Sequence, residues 1–123
     1  MEQKEENSML KQKYTWDQIE ATDAPVVSGS GLRRFLSGEK MTVAQFRFAA
    51  GTILAEHRHE NEQFSMVMEG TMEFNIEGNN GPLTVQPGEI VYLRPNILHG
   101  AKAVTDAVIL DVFSPPRADW QSK

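Results

Sequence analysis

Residues 51–70 read GTILAEHRHENEQFSMVMEG, and this stretch decides how the chain is interpreted. Two histidines, His57 and His59, are separated by a single residue, and Gln63 follows four positions after the second. On a β-strand the side chains alternate between the two faces, so histidines at i and i+2 point to the same side and can share one ligand. The stretch therefore predicts β structure that carries a metal site.

A second block of the sequence ends in the last of the chain's 3 histidines. Residues 87–99 read PGEIVYLRPNILH, a Pro-Gly turn followed by an apolar run and His99. Because the chain has no cysteine, a metal site must use imidazole, carboxylate or amide ligands. The candidate donors are His57, His59, His99 and Gln63, and Glu62 competes with Gln63 if the strand register shifts by one residue.

From residue 14 onward the chain consists of short runs rich in β-branched and aromatic residues, which Gly, Pro and Asn interrupt. No window of helical length keeps an apolar stripe. The predicted strands are residues 14–19, 32–36, 41–48, 64–68, 72–76, 83–86, 89–93 and 107–113. Short antiparallel strands in this number predict an all-β domain, a sandwich or a small barrel.

Length and charge limit the possible functions. The 123 residues suit one domain, predicted to cover residues 14–123, and the charged segment 1–13 is predicted to be a disordered tail. A net charge of −5 argues against nucleic acid as a partner. No stretch reaches the roughly 20 apolar residues that cross a bilayer, and the N-terminal sequence lacks the apolar core of a signal peptide. We therefore expect a soluble, cytoplasmic protein without a membrane partner.

The last predicted strand, residues 107–113, reads AVILDVF and contains one charged residue. Alternation places Asp111 and Phe113 on the same face. A buried carboxylate is costly, so Asp111 needs a partner, a water-lined cavity or a proton of its own. It is either a structural group or an acid/base group, and we favour the second interpretation.

Arg117 follows this strand after two prolines, which hold the chain in an extended path. Its side chain is either a solvated charge or a contact for an anion.

The two histidine blocks resemble the paired motifs of the cupin family, a jelly-roll barrel of two antiparallel sheets. The first family motif, G-x5-H-x-H-x3,4-E-x6-G, matches residues 51–70 with Gln63 in place of the glutamate. The second, G-x5-P-x-G-x2-H-x3-N, matches less closely. It keeps its histidine, whereas its proline, glycine and asparagine are replaced by Arg94, Asn96 and Ala103.

This resemblance implies a single-domain cupin with one divalent transition metal, Zn, Ni, Fe or Mn. It assigns the metal to His57, His59, Gln63 and His99. The amide of Gln63 removes one negative charge from the usual ligand set, so the metal should be a stronger electrophile. That difference favours Lewis-acid chemistry.

The segment from Asp111 to Arg117 is similar to that of the KdgF-type cupins, small proteins of uronate catabolism. Members of that group convert 4,5-unsaturated monouronates to linear 4-deoxy-5-keto sugar acids. The similarity implies that Asp111 shuttles protons, that Arg117 binds the carboxylate of an anionic sugar acid, and that Phe113 packs against the sugar. Ring opening and ketonisation of such a uronate is therefore the predicted reaction.

Two other functions stay open at this point. Three imidazoles also suit an iron-dependent cupin oxygenase, although the neutral Gln63 weakens that case because an anionic ligand stabilises oxidised iron. The second open function is that of a non-catalytic cupin, which binds a sugar acid or a metal. Arg33, Arg34 and Arg47 lie on predicted strands and form either a second anion contact or a solvated strand face. Because a small antiparallel sandwich has edge strands to cover, we expect a homodimer.

Overall fold

A computed structural model of the protein describes residues 10–121, and these form two antiparallel sheets with little helix. The strands are β1 Thr22–Asp23, β2 Gly31–Ser37, β3 Thr42–Phe48, β4 Ile53–His57, β5 Glu62–Glu69, β6 Met72–Ile76, β7 Leu83–Val85, β8 Ile90–Leu93, β9 His99–Ala103 and β10 Ala107–Ser114. A 3₁₀ helix covers Trp16–Gln18, and one α-helical turn, α1, covers Ala118–Gln121. The predicted all-β fold of two antiparallel sheets is confirmed.

The larger sheet has six strands in the order β1-β2-β3-β10-β5-β8, and the smaller has four in the order β4-β9-β6-β7. Strand β10 lies between β3 and β5, so both of its edges are hydrogen-bonded to neighbouring strands. Alternate residues of β10 point into the molecule, as predicted: Ile109, Asp111 and Phe113 are all buried. The buried apolar cluster takes residues from both sheets, including Phe46 and Val67 from the larger sheet.

Most predicted strands are confirmed with bounds that shift by one or two residues, but the prediction for residues 14–19 is wrong. There the amide of Gln18 donates to the Thr15 carbonyl at 3.0 Å, and the Gln18 side-chain oxygen accepts the Thr15 amide at 3.0 Å. These local bonds close a tight turn, which competes with an extended strand. The predicted tail overlaps the described residues only at 10–13, and residues 1–9 lie outside them.

Three strands and one helical turn were not predicted. Strands β4 and β9 contain Ala, Gly, Glu and Lys, which have weak β preference, and each is stabilised by its partner in the smaller sheet. Strand β1 has two residues, and α1 is a single turn without room for an apolar period. In the part of the chain that the structure describes, no helix has the length and apolar character to cross a bilayer.

Gly70 joins β5 to β6 with φ of 81°, and an added Cβ would collide with the backbone carbonyl of Asp106. Gly78 has a φ of 90° but open space around it, so it is a matched control for the conformational cost alone. We predict that Gly78→Ala lowers the free energy of unfolding by about 1 kcal/mol. Gly70→Ala should lower it by more than about 3 kcal/mol because the backbone must also move. Urea unfolding of both variants measures this, and equal losses would contradict the steric argument.

Candidate functional site

The three histidines lie together, with their ligand atoms all within 4.8 Å of one another. His57 and His99 are direct cross-strand partners on β4 and β9, and their ring centroids are 4.5 Å apart. His59 lies beyond the end of β4, in the connection to β5, with its centroid 5.0 Å from that of His99. The predicted clustering is confirmed. The alternation of a strand accounts only for His57, however, because His59 is placed by a loop.

Each of the three rings is oriented by the main chain. In every case Nδ1 bonds to a backbone carbonyl oxygen two residues away, and these oxygens belong to Ala55, Asn61 and Ile97, at 3.0, 3.0 and 2.9 Å. Because a carbonyl oxygen only accepts, Nδ1 carries the hydrogen and Nε2 keeps its lone pair. Burial lowers the pKa of His59, and it lowers the pKa of His99 to about 4. Both rings are therefore neutral at neutral pH, the form that binds metals.

Gln63 completes the donor set. It is buried on β5, its Oε1 lies 3.0 Å from Nε2 of His59, and its amide nitrogen donates to the hydroxyl of Ser65 at 2.8 Å. Since both facing atoms of Gln63 and His59 carry lone pairs, their closeness is favourable when a cation binds both. These residues therefore fit a divalent transition metal.

Glu62, the competing oxygen donor, points to the opposite face of β5. Its carboxylate accepts a hydrogen bond from the Tyr92 hydroxyl on the exposed side of the sheet. The register of β5 therefore turns Gln63, and not Glu62, towards the histidines. A single-residue slip would exchange the two.

Asn96 occupies the position of a glycine in the second motif and keeps the backbone shape that a glycine would give. Its φ is 66°, in the left-handed region, which asparagine tolerates better than other side chains. Its backbone N–H donates to the carbonyl oxygen of His59 at 2.7 Å. The replacement therefore preserves a turn that supports the loop carrying His59.

A cavity of about 320 Å³ lies between the sheets next to the histidines. His57 and His99 line it from the smaller sheet, and Gln63, Asp111 and Phe113 line it from the larger one. Much of the remaining wall is apolar. A volume of this size with a few polar groups is typical of a site for a small molecule.

Asp111 is the buried carboxyl group of this cavity, with 8% of its surface exposed. In the register of the larger sheet it lies opposite Ala44 on one side and Ser65 on the other. Burial raises the pKa of Asp111 to about 7, although Ser65, Arg117 and Gln63 act in the opposite direction. Its Oδ1 is buried and has no hydrogen-bond partner among residues 10–121. An acceptor in this state is available to a ligand.

Arg117 also lines the cavity, but its guanidinium already has a partner. Nε and Nη2 bond to the two carboxylate oxygens of Asp119, at 3.1 and 2.9 Å, and this pairing lowers the pKa of Asp119. The residue is buried, and its amide donates to the Thr42 hydroxyl at 2.9 Å. The segment after β10 therefore folds back on β3, and the guanidinium of Arg117 holds the carboxylate of Asp119 through two hydrogen bonds.

The site contains three groups that the sequence did not reveal. Asn61 donates to the carbonyls of Pro115 and Pro116 and so joins the histidine loop to the C-terminal segment. Asp119 pairs with Arg117, and nothing in its spacing indicated this. Ser65 was detectable in principle, because it is two residues from Gln63 and shares its face.

Comparison with known proteins agrees with this geometry. Residues 44–113 match the family model described as Cupin domain. The pectin degradation protein KdgF of Dickeya dadantii (strain 3937) is 33% identical over 97 residues, which span 75% of this chain and 86% of that protein.

Solved structures give the same family. An RmlC-like cupin from Shewanella frigidimarina NCIMB 400 superposes with a TM-score of 0.80 at 25% identity, covering 92% of this chain and 98% of that one. KdgF from Halomonas sp. superposes with a TM-score of 0.74 at 26% identity, covering 85% and 94%. With its two antiparallel sheets and its cluster of three histidines, the chain belongs to the cupin domain family.

Proposed function

We propose that the protein is a metal-dependent cupin enzyme that opens and ketonises 4,5-unsaturated monouronates to linear 4-deoxy-5-keto sugar acids. One observation carries the proposal: a cluster of metal donors and the unpaired carboxyl oxygen of Asp111 lie at one cavity of small-molecule size. Similarity to two proteins called KdgF, one of them described as a pectin degradation protein, supports the substrate class.

In this proposal the metal is held by Nε2 of the three histidines and by the amide oxygen of Gln63. A divalent transition metal, Zn, Ni, Fe or Mn, would supply a Lewis acid that stabilises negative charge on a substrate oxygen. The amide of Gln63 leaves more of the ion's charge available than a carboxylate would. The hydrogen bond from Gln63 to Ser65 keeps the amide oxygen directed towards His59.

The reaction needs one proton to be moved and no second substrate. The ring of the unsaturated uronate is a hemiacetal, in which C1 carries a hydroxyl group. When Asp111 takes the hydroxyl proton, the C1 carbonyl forms, the bond from C1 to the ring oxygen breaks, and an enolate is left across C4 and C5. Returning the same proton to C4 gives the C5 ketone, so the sum is an isomerisation.

Phe113 and Arg117 form the substrate side of the site in this proposal. Phe113 is buried beside the histidines, with its ring centroid 5.8 Å from that of His59, where it excludes water and packs against a sugar ring. Asp119 uses two of the five N–H donors of Arg117 and leaves the others for an oxygen of the substrate.

The first prediction of this proposal concerns metal content. Purified, untagged protein should hold about one divalent transition metal per chain, measured by mass spectrometry of the elements. Alanine at His57, His59 or His99 should remove most of it, and Gln63→Ala should remove less because a neutral amide is the weakest donor. Glu62→Ala, on the outer face, is the matched control and should change nothing. A metal-free native protein, or loss through Glu62 instead of Gln63, contradicts the assignment.

The second prediction concerns the reaction. The protein should accelerate the loss of the ultraviolet absorbance of 4,5-unsaturated galacturonate without consuming O2. Asp111→Asn should lower kcat by roughly 10²- to 10⁴-fold, the usual contribution of a general acid or base, with unchanged metal content. The exposed Asp23→Asn serves as control. Oxygen consumption would support an oxygenase instead, and binding without turnover would support a binding protein.

The third prediction concerns assembly, which we propose to be a homodimer. Strand β8 has a strand partner on one side only within residues 10–121, and Phe64, Ile90 and Tyr92 are exposed beside that edge. The same edge on a second copy can pair with it about a two-fold axis. Light scattering should give twice 13.8 kDa, and Ile90→Glu should halve that mass. A monomeric wild type contradicts the proposal.

The cytoplasmic location of the protein stays a prediction.

A further inference from the structure

Arg33 lines the same cavity from β2, on the far side of the larger sheet from β5. It pairs in register with Phe46 of β3, which also lines the cavity, so β2 presents this arginine inward. Its neighbour Arg34 lies at the alternate position and donates through Nε to the carbonyl of Ile19 at 3.0 Å. Of these two consecutive arginines, only Arg33 lines the cavity.

Aromatic rings hold the Arg33 guanidinium in place. Its central carbon lies 4.4 Å from the ring centroid of Trp120 and 5.4 Å from that of Phe35. Trp120 is itself fixed, since its ring packs edge-on against those of Phe35, Phe46 and Phe113. A guanidinium on such a surface is oriented before a ligand arrives, which lowers the entropic cost of binding.

Arg33 carries a positive charge that no carboxylate within residues 10–121 neutralises by an ion pair. Its Nε is buried and has no hydrogen-bond partner in that part of the chain. Burial lowers the pKa of Arg33 and the positive charge of Arg117 lowers it further, and the negative charge of Asp119 offsets these effects only in part. A bound anion offsets both effects.

The contrast with Arg117 shows which of the two arginines lacks an anion. Arg117 already has a two-pronged carboxylate partner in Asp119, whereas Arg33 lines the cavity without a hydrogen bond to any carboxylate of residues 10–121. A planar guanidinium that is held on aromatic rings and lacks a partner is suited to a carboxylate.

We propose that Arg33 is the residue that binds the carboxylate of the substrate, and that Arg117, paired with Asp119, chiefly positions Trp120 and Phe113. The proposal deepens the function argued above and rests on it for the substrate class. It makes Arg33 the determinant of specificity for acidic sugars over neutral ones. Arg117 contacts the same tryptophan, with its guanidinium carbon 4.4 Å from the ring centroid.

The test is calorimetric binding to the metal-loaded protein of two stable probes, D-galacturonate and its uncharged methyl ester. Wild type should bind the acid roughly ten- to a hundredfold more tightly than the ester, as a charge-assisted contact provides. Arg33→Met should bind both equally. Arg47→Met, which removes the same charge from an exposed position on β3, should keep the wild-type ratio. A general structural disturbance lowers the affinity for both probes alike and leaves the ratio of the two affinities unchanged.

An unchanged ratio in Arg33→Met, or no preference in wild type, overturns the proposal. If Arg33→Met does not fold, Arg33→Lys decides the question. A severalfold loss of the ratio supports the two-pronged contact, and an unchanged ratio rejects it.

Turnover of the unsaturated uronate, measured in parallel, separates the two proposals. If wild type converts the uronate but Arg33→Met keeps the wild-type ratio of the two affinities, only the role of Arg33 is rejected. If Arg33→Met loses the preference for the acid but wild type does not convert the uronate, only the proposed reaction is rejected.

Discussion

The register between β5 and β10 determines what the cavity contains. It places Asp111 opposite Ser65 and Phe113 opposite Gln63, so the proposed acid, its hydroxyl neighbour, the aromatic wall and the amide donor come from four facing positions. Because side chains alternate with a period of two, a slip of either strand by one residue would turn the two groups of that strand to the outer face. The hydrogen bond from Gln63 to Ser65 runs within β5, and together with the closeness of His59 to Gln63 it shows that this same face of β5 points towards the histidines.

The smaller sheet provides the other half of the site. Pairing of β4 with β9 brings His57 against His99, and the loop after β4 places His59 between that pair and the larger sheet. The site thus forms where the two sheets meet, and its donors come from segments far apart in sequence. Asn61 extends the connection to the C-terminal segment, whose Trp120 and Arg117 close the cavity.

Much of this could be predicted from the sequence, and the exceptions have physical reasons. The histidines, Gln63 and Asp111 were identifiable because motif spacing and strand alternation are local properties. The 3₁₀ turn at residues 16–18 was missed because one pair of side-chain and backbone bonds outweighed a β-rich composition. The pairing of Arg117 with Asp119 was invisible, since two residues of opposite charge near a terminus are usually solvated. The inward orientation of Arg33 needed the register of β2, which no pattern in the sequence specified.

The orientation of the histidine rings by main-chain carbonyls also bears on how such a site can diverge. Every residue has a carbonyl, so the residues that supply these oxygens, Ala55, Asn61 and Ile97, perform this task whatever their side chains are. Substitution at positions 55 and 97 leaves ring orientation intact as long as the backbone path is kept. Asn96 illustrates the same rule, because its backbone shape supports the loop even though the motif calls for glycine. A site built this way orients its donors without needing a particular side chain at the positions that supply the carbonyl oxygens.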